Sequence, residues 1–152
     1  MPDHHYRAQV QWSGSTASGY AHYPRAHTAY LPPATEGLDV SADPHFRGDP
    51  DLPNPEQLLV LSASSCQLLS FLAVAARRGV DVVGYEDEAT GEMPSSAVPQ
   101  RVTRITLRPT VSVAGDVDEQ TVRRLLDEAH EECYIANSLT SELVLEPTVR
   151  HV

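Results

Sequence analysis

NPEQLLVLSASSCQLLSFLAVAARRG, from Asn54 to Gly79, decides the fold of this chain. Asn is a favoured residue at the position just before a helix, Pro suits the first helical position, and Glu56 and Gln57 in the first turn can engage free backbone donors and meet the positive helix end. Gly79 supplies the left-handed stop. The stretch therefore predicts one long helix over 54–78. Gln57 to Ala76 is 20 residues without a charge, long enough to test as a membrane span. It also carries Ser62, Ser64, Ser65, Cys66, Gln67 and Ser70, which make lipid exposure costly, so the reading is a helix buried in protein.

Around this helix the signals are extended. His5 to Trp12 alternates Tyr6, Ala8, Val10 and Trp12 against Arg7, Gln9 and Gln11, the period of a half-buried strand. Tyr20 to Leu31 is a second extended stretch, with Pro24 marking an irregularity. Pro32 to Pro55 is rich in Pro, Gly and Asp and reads as mostly loop with a short strand. After the helix come Val80 to Glu88, a turn around Thr90 and Gly91, and a strand from Gln100 to Val113. A second helix opens near Asp116 or Asp118 and sets Val122, Leu125, Leu126, Ala129 and Cys133 on one stripe. Ser141 to Pro147 closes the chain as a strand.

The expected organisation is one domain over 1–152: an N-terminal β-hairpin and loop (1–53), the central helix (54–78), a β region (79–113), and the second helix with its terminal strand (114–152). The class is α+β, with antiparallel sheets around a long buried helix. A chain of 152 residues covers one face of such a helix, and its uncharged circumference calls for a second subunit to cover the rest.

The formal net charge of -10 at pH 7 argues against a nucleic-acid or anionic-membrane surface, both of which need clustered positive charge. All 11 basic residues are Arg. Without Lys there is no Schiff-base chemistry, no pyridoxal phosphate attachment and no Walker-A loop. The start, Met1-Pro2-Asp3-His4-His5-Tyr6, lacks the pattern of a signal peptide, and a cytoplasmic location is expected. There, two Cys are thiols or redox-active groups more often than a permanent staple.

Cys66 falls in the middle of the long helix and Cys133 at the end of the second. They match neither a C-x-x-C motif nor the paired spacing of a zinc site, and His130 offers no second ligand pair, so neither a metal nor a cofactor is expected. Two inert core thiols are the bland alternative, since free Cys is among the most buried residue types. A reactive thiol instead demands an activating partner. Cys66 lies ten residues beyond Glu56, roughly 15 Å up the axis, whereas the helix dipole fades within the first turn. In a chain without Lys, the cation must be Arg: Arg25 or Arg47, held by a carboxylate such as Glu56. The same rise keeps Glu56 from Cys66 along one straight helix, so a shared site would take Glu56 from another subunit.

The segments NPEQLL, SASSCQLLSFLA, AHEECYIANS and ELVLEP, in that order from Asn54 to Pro147, resemble the OsmC/Ohr family of osmotically inducible and organic hydroperoxide resistance proteins. The YPRAH and FRGD stretches look like a branch distinct from the hydroperoxide-resistance enzymes proper. The resemblance implies the OsmC-like fold as an intertwined homodimer and a peroxidase acting on organic hydroperoxides in the oxidative stress response. By matching motif, Cys66 is the peroxidatic thiol, Cys133 the resolving one, and Glu56 the acid paired with the catalytic Arg. That Arg lies in the family's N-terminal hairpin, which selects Arg25 over Arg47, although the family's glycine-rich turn is replaced here by Tyr23-Pro24-Arg25-Ala26-His27. The implied reductant is a dithiol, such as a lipoylated protein. A non-enzymatic dimer of the same fold, sensing oxidants or binding a small apolar ligand, is the alternative. Leu69 and Phe71 read as core before pocket, and His22, His27 and His45 receive no role.

Overall fold

The computed structural model describes Met1 to Val152 and divides into two compact units, Met1–Leu58 and Leu59–Val152. The N-terminal unit is an antiparallel meander of β1 (Gln9–Gln11), β2 (His27–Tyr30) and β3 (Gly37–Val40), in the order β1-β2-β3. Gln9 faces Tyr30, and His27 faces Val40. Pairing is shorter than the alternation from His5 to Trp12 predicts, and Tyr6 and Val10 are exposed, because β1 is an edge strand paired on one side only. Tyr20 to His22 form a turn, so only the last third of the second extended stretch enters the sheet.

After β3 the chain tightens into a 3-10 turn, Pro44–Phe46, capped by Asp43, whose carboxylate accepts from the His45 N–H at 2.7 Å. Ser41 is buried; its N–H donates to the Pro53 carbonyl at 2.9 Å and its hydroxyl accepts from the Asp49 N–H at 3.0 Å. Gly48 lies inside this knot, where an added Cβ would stand 1.6 Å from the Ala42 carbonyl oxygen. Backbone approach this close admits only hydrogen.

The long helix α1 runs from Pro55 to Arg77. Its start is a reciprocal cap: the Asn54 carboxamide oxygen accepts from the Gln57 N–H, and the Gln57 side chain accepts from the Asn54 N–H, each at 2.9 Å. At the other end Gly79 adopts φ 68°, and the Val80 N–H returns to the Ala75 carbonyl at 2.9 Å, closing a Schellman turn.

The second unit adds β4 (Asp81–Asp87), β5 (Thr90–Glu92), β6 (Arg104–Leu107), β7 (Pro109–Ala114), α2 (Glu119–Glu132), α3 (Tyr134–Ser138), β8 (Glu142–Leu145) and β9 (Thr148–His151). They form two sheets, β4-β7-β9 and β5-β6-β8. Three details depart from the sequence reading. Thr90 and Gly91 lie within β5 and not in a turn. The single strand expected over Gln100 to Val113 divides at Arg108 into β6 and β7, which serve different sheets. The sheets are mixed: β4-β7 and β5-β6 are antiparallel, but β8 joins β6 and β9 joins β7 in parallel. The crossover through α2 and α3 produces this, because it returns the chain to the end where β6 began.

A constant register offset carries the two parallel pairings, with Arg104 opposite Glu142 and Thr110 opposite Thr148. The Arg104–Glu142 and Arg108–Glu146 ion pairs, at 2.9 and 3.2 Å, repeat the same spacing. Being exposed, they add little stability. Arg108 also ties the strand junction together, its N–H donating to Asp87 and its guanidinium to Thr90.

Two cores flank α1 in this unit. Ala63 packs with Ile105 and Leu107, while Phe71, Val74 and Ala75 pack with Val111 and Val113 and with the α2 stripe Val122, Leu125, Leu126 and Ala129. Cys66 falls between them. The opposite side is bare: Leu61, Leu69 and Leu72 are 60%, 64% and 39% exposed, a stripe at helical spacing, and only 28% of the most apolar window is buried. The helix is long and apolar enough to cross a membrane by length and composition. Its buried fraction is what one chain provides, not the complete cover that the sequence calls for.

The Gly48 contact gives a direct test. Gly48→Ala should cost about 1–3 kcal/mol through the forced backbone shift, a drop of about 2–4 °C in Tm per kcal/mol. Thermal unfolding of the variant at the wild-type Tm would contradict the contact.

Candidate active site

Cys66 and Cys133, far apart in sequence, meet in the second unit. Both are free thiols, Cys66 half-buried and Cys133 fully buried, and they stand close enough for Cys66 to shift the titration of Cys133. Cys66 is carried by the middle of α1. Cys133 ends α2, as the apolar stripe suggests, and it also opens α3. Its N–H donates to the His130 carbonyl at 3.2 Å, and its sulfur accepts from the Ala136 N–H at 3.5 Å. α3 is five residues long and is built on this cap.

Burial pushes the Cys133 thiol up from its ordinary value; the Ala136 N–H opposes this, and the hydrogen bond with Cys66 raises it further. Cys133 is accordingly a protonated, waiting thiol at neutral pH. Tyr85 on β4 packs its ring against Phe71, with centroids 6.0 Å apart. Burial holds the Tyr85 phenol well above its usual range, with the charges of Asp87 and Cys133 adding to the effect. Ser64, two residues before Cys66, donates its hydroxyl to Asp87.

Arg25 and Glu56 belong to the N-terminal unit, where both line one cavity of about 410 Å³ together with Trp12, Tyr23, His27 and Phe46. Arg25 is held on aromatic faces: its Cζ stands 3.6 Å from the Tyr23 ring centroid and 4.8 Å from that of Tyr20. Its guanidinium donates to the Tyr20 and Tyr23 carbonyls, and no ion pair joins it to Glu56. The Trp12 indole donates to the Pro24 carbonyl at 2.8 Å and His27 meets the Arg25 carbonyl at 2.8 Å, fixing the turn that presents Arg25. Arg47, the other candidate, caps the 3-10 turn with φ 65°, and its Cζ stands 5.9 Å from the Tyr20 ring. It does not line the cavity. Leu69 is exposed and Phe71 is core.

Sequence reasoning missed the aromatic cradle of Trp12, Tyr20 and Tyr23. The dense aromatic content around YPRAH was the available signal for it.

The sequence profile of the OsmC-like protein family matches residues 48–148. The chain belongs to the OsmC-like family. An OsmC-like protein of unknown function from Vibrio cholerae has a solved structure that is similar over 95% of this chain and 99% of its own, with 30% identity and a TM-score of 0.86. The uncharacterized protein YmaD of Bacillus subtilis is 22% identical over 99% of this chain and 97% of its own length. An organic hydroperoxide resistance protein from Elizabethkingia anophelis shares the fold at a TM-score of 0.71 with 14% identity, over 99% of each chain.

The raised Cys133 thiol predicts a pH dependence. The folded state keeps this proton to higher pH than the unfolded chain, whose Cys titrates near 9.0. The corresponding stability is complete below that value and is lost as pH rises through it toward the folded one. Thermal unfolding at pH 8 and pH 10 should show a fall that is shallower in Cys133→Ala; parallel falls would contradict this origin.

Proposed function

We propose that this OsmC-like protein is a thiol-dependent peroxidase of the oxidative stress response that reduces organic hydroperoxides. The observation that carries the reading is the neighbourhood of a half-buried and a fully buried reduced thiol, close enough for one to shift the titration of the other. Family members described as organic hydroperoxide resistance proteins support it.

In this reading the Cys66 thiolate attacks the peroxide O–O bond, giving a sulfenic acid and an alcohol. The Cys133 thiol then displaces the sulfenic oxygen as water and forms a Cys66–Cys133 disulfide, which an external dithiol, such as a lipoylated protein, reduces by exchange. Arg25 stabilises the thiolate and the charge developing on the leaving oxygen, with Glu56 orienting it. The protein acts in the cytoplasm as an intertwined homodimer. Its second subunit covers the Leu61, Leu69 and Leu72 stripe, and Arg25 and Glu56 of one subunit serve Cys66 of the other.

A specific observation favours a second reading. The Arg25 guanidinium already donates to two backbone carbonyls, and the cavity it shares is largely apolar, with Trp12, Tyr23 and Phe46 in its wall. A non-enzymatic dimer that senses oxidants or holds a small apolar ligand fits those features.

Turnover separates the two. Purified protein supplied with cumene hydroperoxide and dihydrolipoamide should consume peroxide continuously; Cys66→Ser should abolish this, and Cys133→Ser should stop after one equivalent. Arg25→Ala should lower kcat/KM by about 100-fold. Oxidation of Cys66 without steady turnover, unaltered by Arg25→Ala, would favour the sensor. A monomeric mass at micromolar concentration would remove the shared site from either reading.

A further inference from the structure

The Cys133 sulfur has a structural duty as well as a chemical one. The extended backbone of this residue, φ -68° and ψ 112°, ends α2, and its sulfur takes the part of the side-chain oxygen that ordinarily starts a helix, accepting the Ala136 N–H at 3.5 Å. The helix begun in this way has few other supports. α3 is five residues long, well short of the length at which a helix holds by itself. The Asn137 N–H returns to the Cys133 carbonyl at 3.0 Å, the Leu139 N–H to the Ala136 carbonyl at 3.3 Å, and the Asn137 carboxamide donates to the Glu131 carbonyl at 3.0 Å. Beyond these bonds the segment is held by Ile135 and Leu139, half-buried side chains packed against the Ala63, Ile105 and Leu107 core.

Joining Cys133 to Cys66 competes with this cap. A covalent bond draws two sulfurs closer than unbonded ones stand, so at least one of them moves. Cys66 has little freedom, because it lies in the middle of a 23-residue helix between two packed cores. Cys133 stands at the junction of two helices, one of them short, so its side chain is the one that turns. Once drawn toward α1, its sulfur leaves the Ala136 N–H without an acceptor, and α3 starts uncapped.

We propose that α3 is a redox switch: it is ordered while Cys133 is a thiol and released when the Cys66–Cys133 disulfide forms. This rests on the two-cysteine reading above. In the switching step the Cys133 sulfur attacks the Cys66 sulfenic sulfur, the S–O bond breaks, the S–S bond forms, and the oxygen leaves as water with the Cys133 proton. The Cys66 sulfur is reduced from the sulfenic to the disulfide level, and the Cys133 sulfur is oxidised from the thiol to the same level. An external dithiol reverses the switch by exchange, becoming a disulfide itself while both thiols, the cap and α3 are restored. On release, Ile135 and Leu139 come away from Ala63, Ile105 and Leu107. The oxidised protein then displays apolar surface that the reduced one keeps packed.

Amide hydrogen exchange of the full chain, followed by NMR before and after one equivalent of cumene hydroperoxide, reads the switch residue by residue. With the disulfide confirmed by mass spectrometry in the same sample, exchange at Ala136, Asn137 and Leu139 should accelerate by about five-fold or more, the worth of a helix cap, while the β7 amides stay protected. Cys133→Ser keeps a capping side chain and cannot form the disulfide, so peroxide should leave its α3 amides unchanged. Cys133→Ala has no cap and should exchange fast at these amides even when reduced. Unchanged α3 protection in wild-type protein that carries the disulfide would overturn the switch and leave the peroxidase reading intact. Equal acceleration in peroxide-treated Cys133→Ser, or wild-type protection in reduced Cys133→Ala, would overturn the part assigned to the cap. Wild-type protein that never forms the disulfide would overturn both the switch and the two-cysteine reading.

Discussion

The approach of two reduced thiols from different elements, near enough for one to shift the titration of the other, constrains the second unit. Cys66 sits between two apolar cores on α1, and Cys133 is delivered to it by the junction of α2 and α3. For these atoms to meet, α2 must pack on α1 through Val122, Leu125, Leu126 and Ala129, and the chain must turn where an ordinary helix would continue. The Cys133 cap makes that turn with its own sulfur. The residue that the proposed chemistry needs is thus also the one that stops the helix.

Keeping polar atoms buried in this unit opposes folding. An orphaned buried donor or acceptor costs on the order of 1–3 kcal/mol, and the unit holds three such atoms, Gln67 Oε1, Tyr85 OH and His130 Nδ1. Apolar packing on both sides of Cys66, the reciprocal Asn54–Gln57 cap and the Schellman turn at Gly79 offset that cost. The exposed stripe on the far side of α1 adds none of this support within one chain, and an apolar surface of that kind calls for cover.

Where local chemistry decides, the sequence was readable: Asn54, Pro55 and Gly79 bound α1 to within a residue, and Asp118 with the α2 stripe marks the second helix. Where tertiary pairing decides, it was not. The alternation from Gln100 to Val113 runs through Arg108 without a break, so the switch of sheets is invisible locally. Parallel pairing of β8 and β9 depends on a crossover and not on composition, and α3 is too short to show a period. For the site, residue types singled out both cysteines, Glu56 and either Arg25 or Arg47, and the family resemblance chose Arg25. That Cys66 and Cys133 become neighbours and that Arg25 and Glu56 line one cavity are facts of the fold.

The central claim is that the two thiols form one redox centre, and peptide-mapping mass spectrometry of the intact protein after one equivalent of organic hydroperoxide tests it most directly. The account predicts a single Cys66–Cys133 disulfide within the chain and no free thiol. Oxidation confined to Cys66, with Cys133 still reduced and no cross-link at any time point, would contradict it.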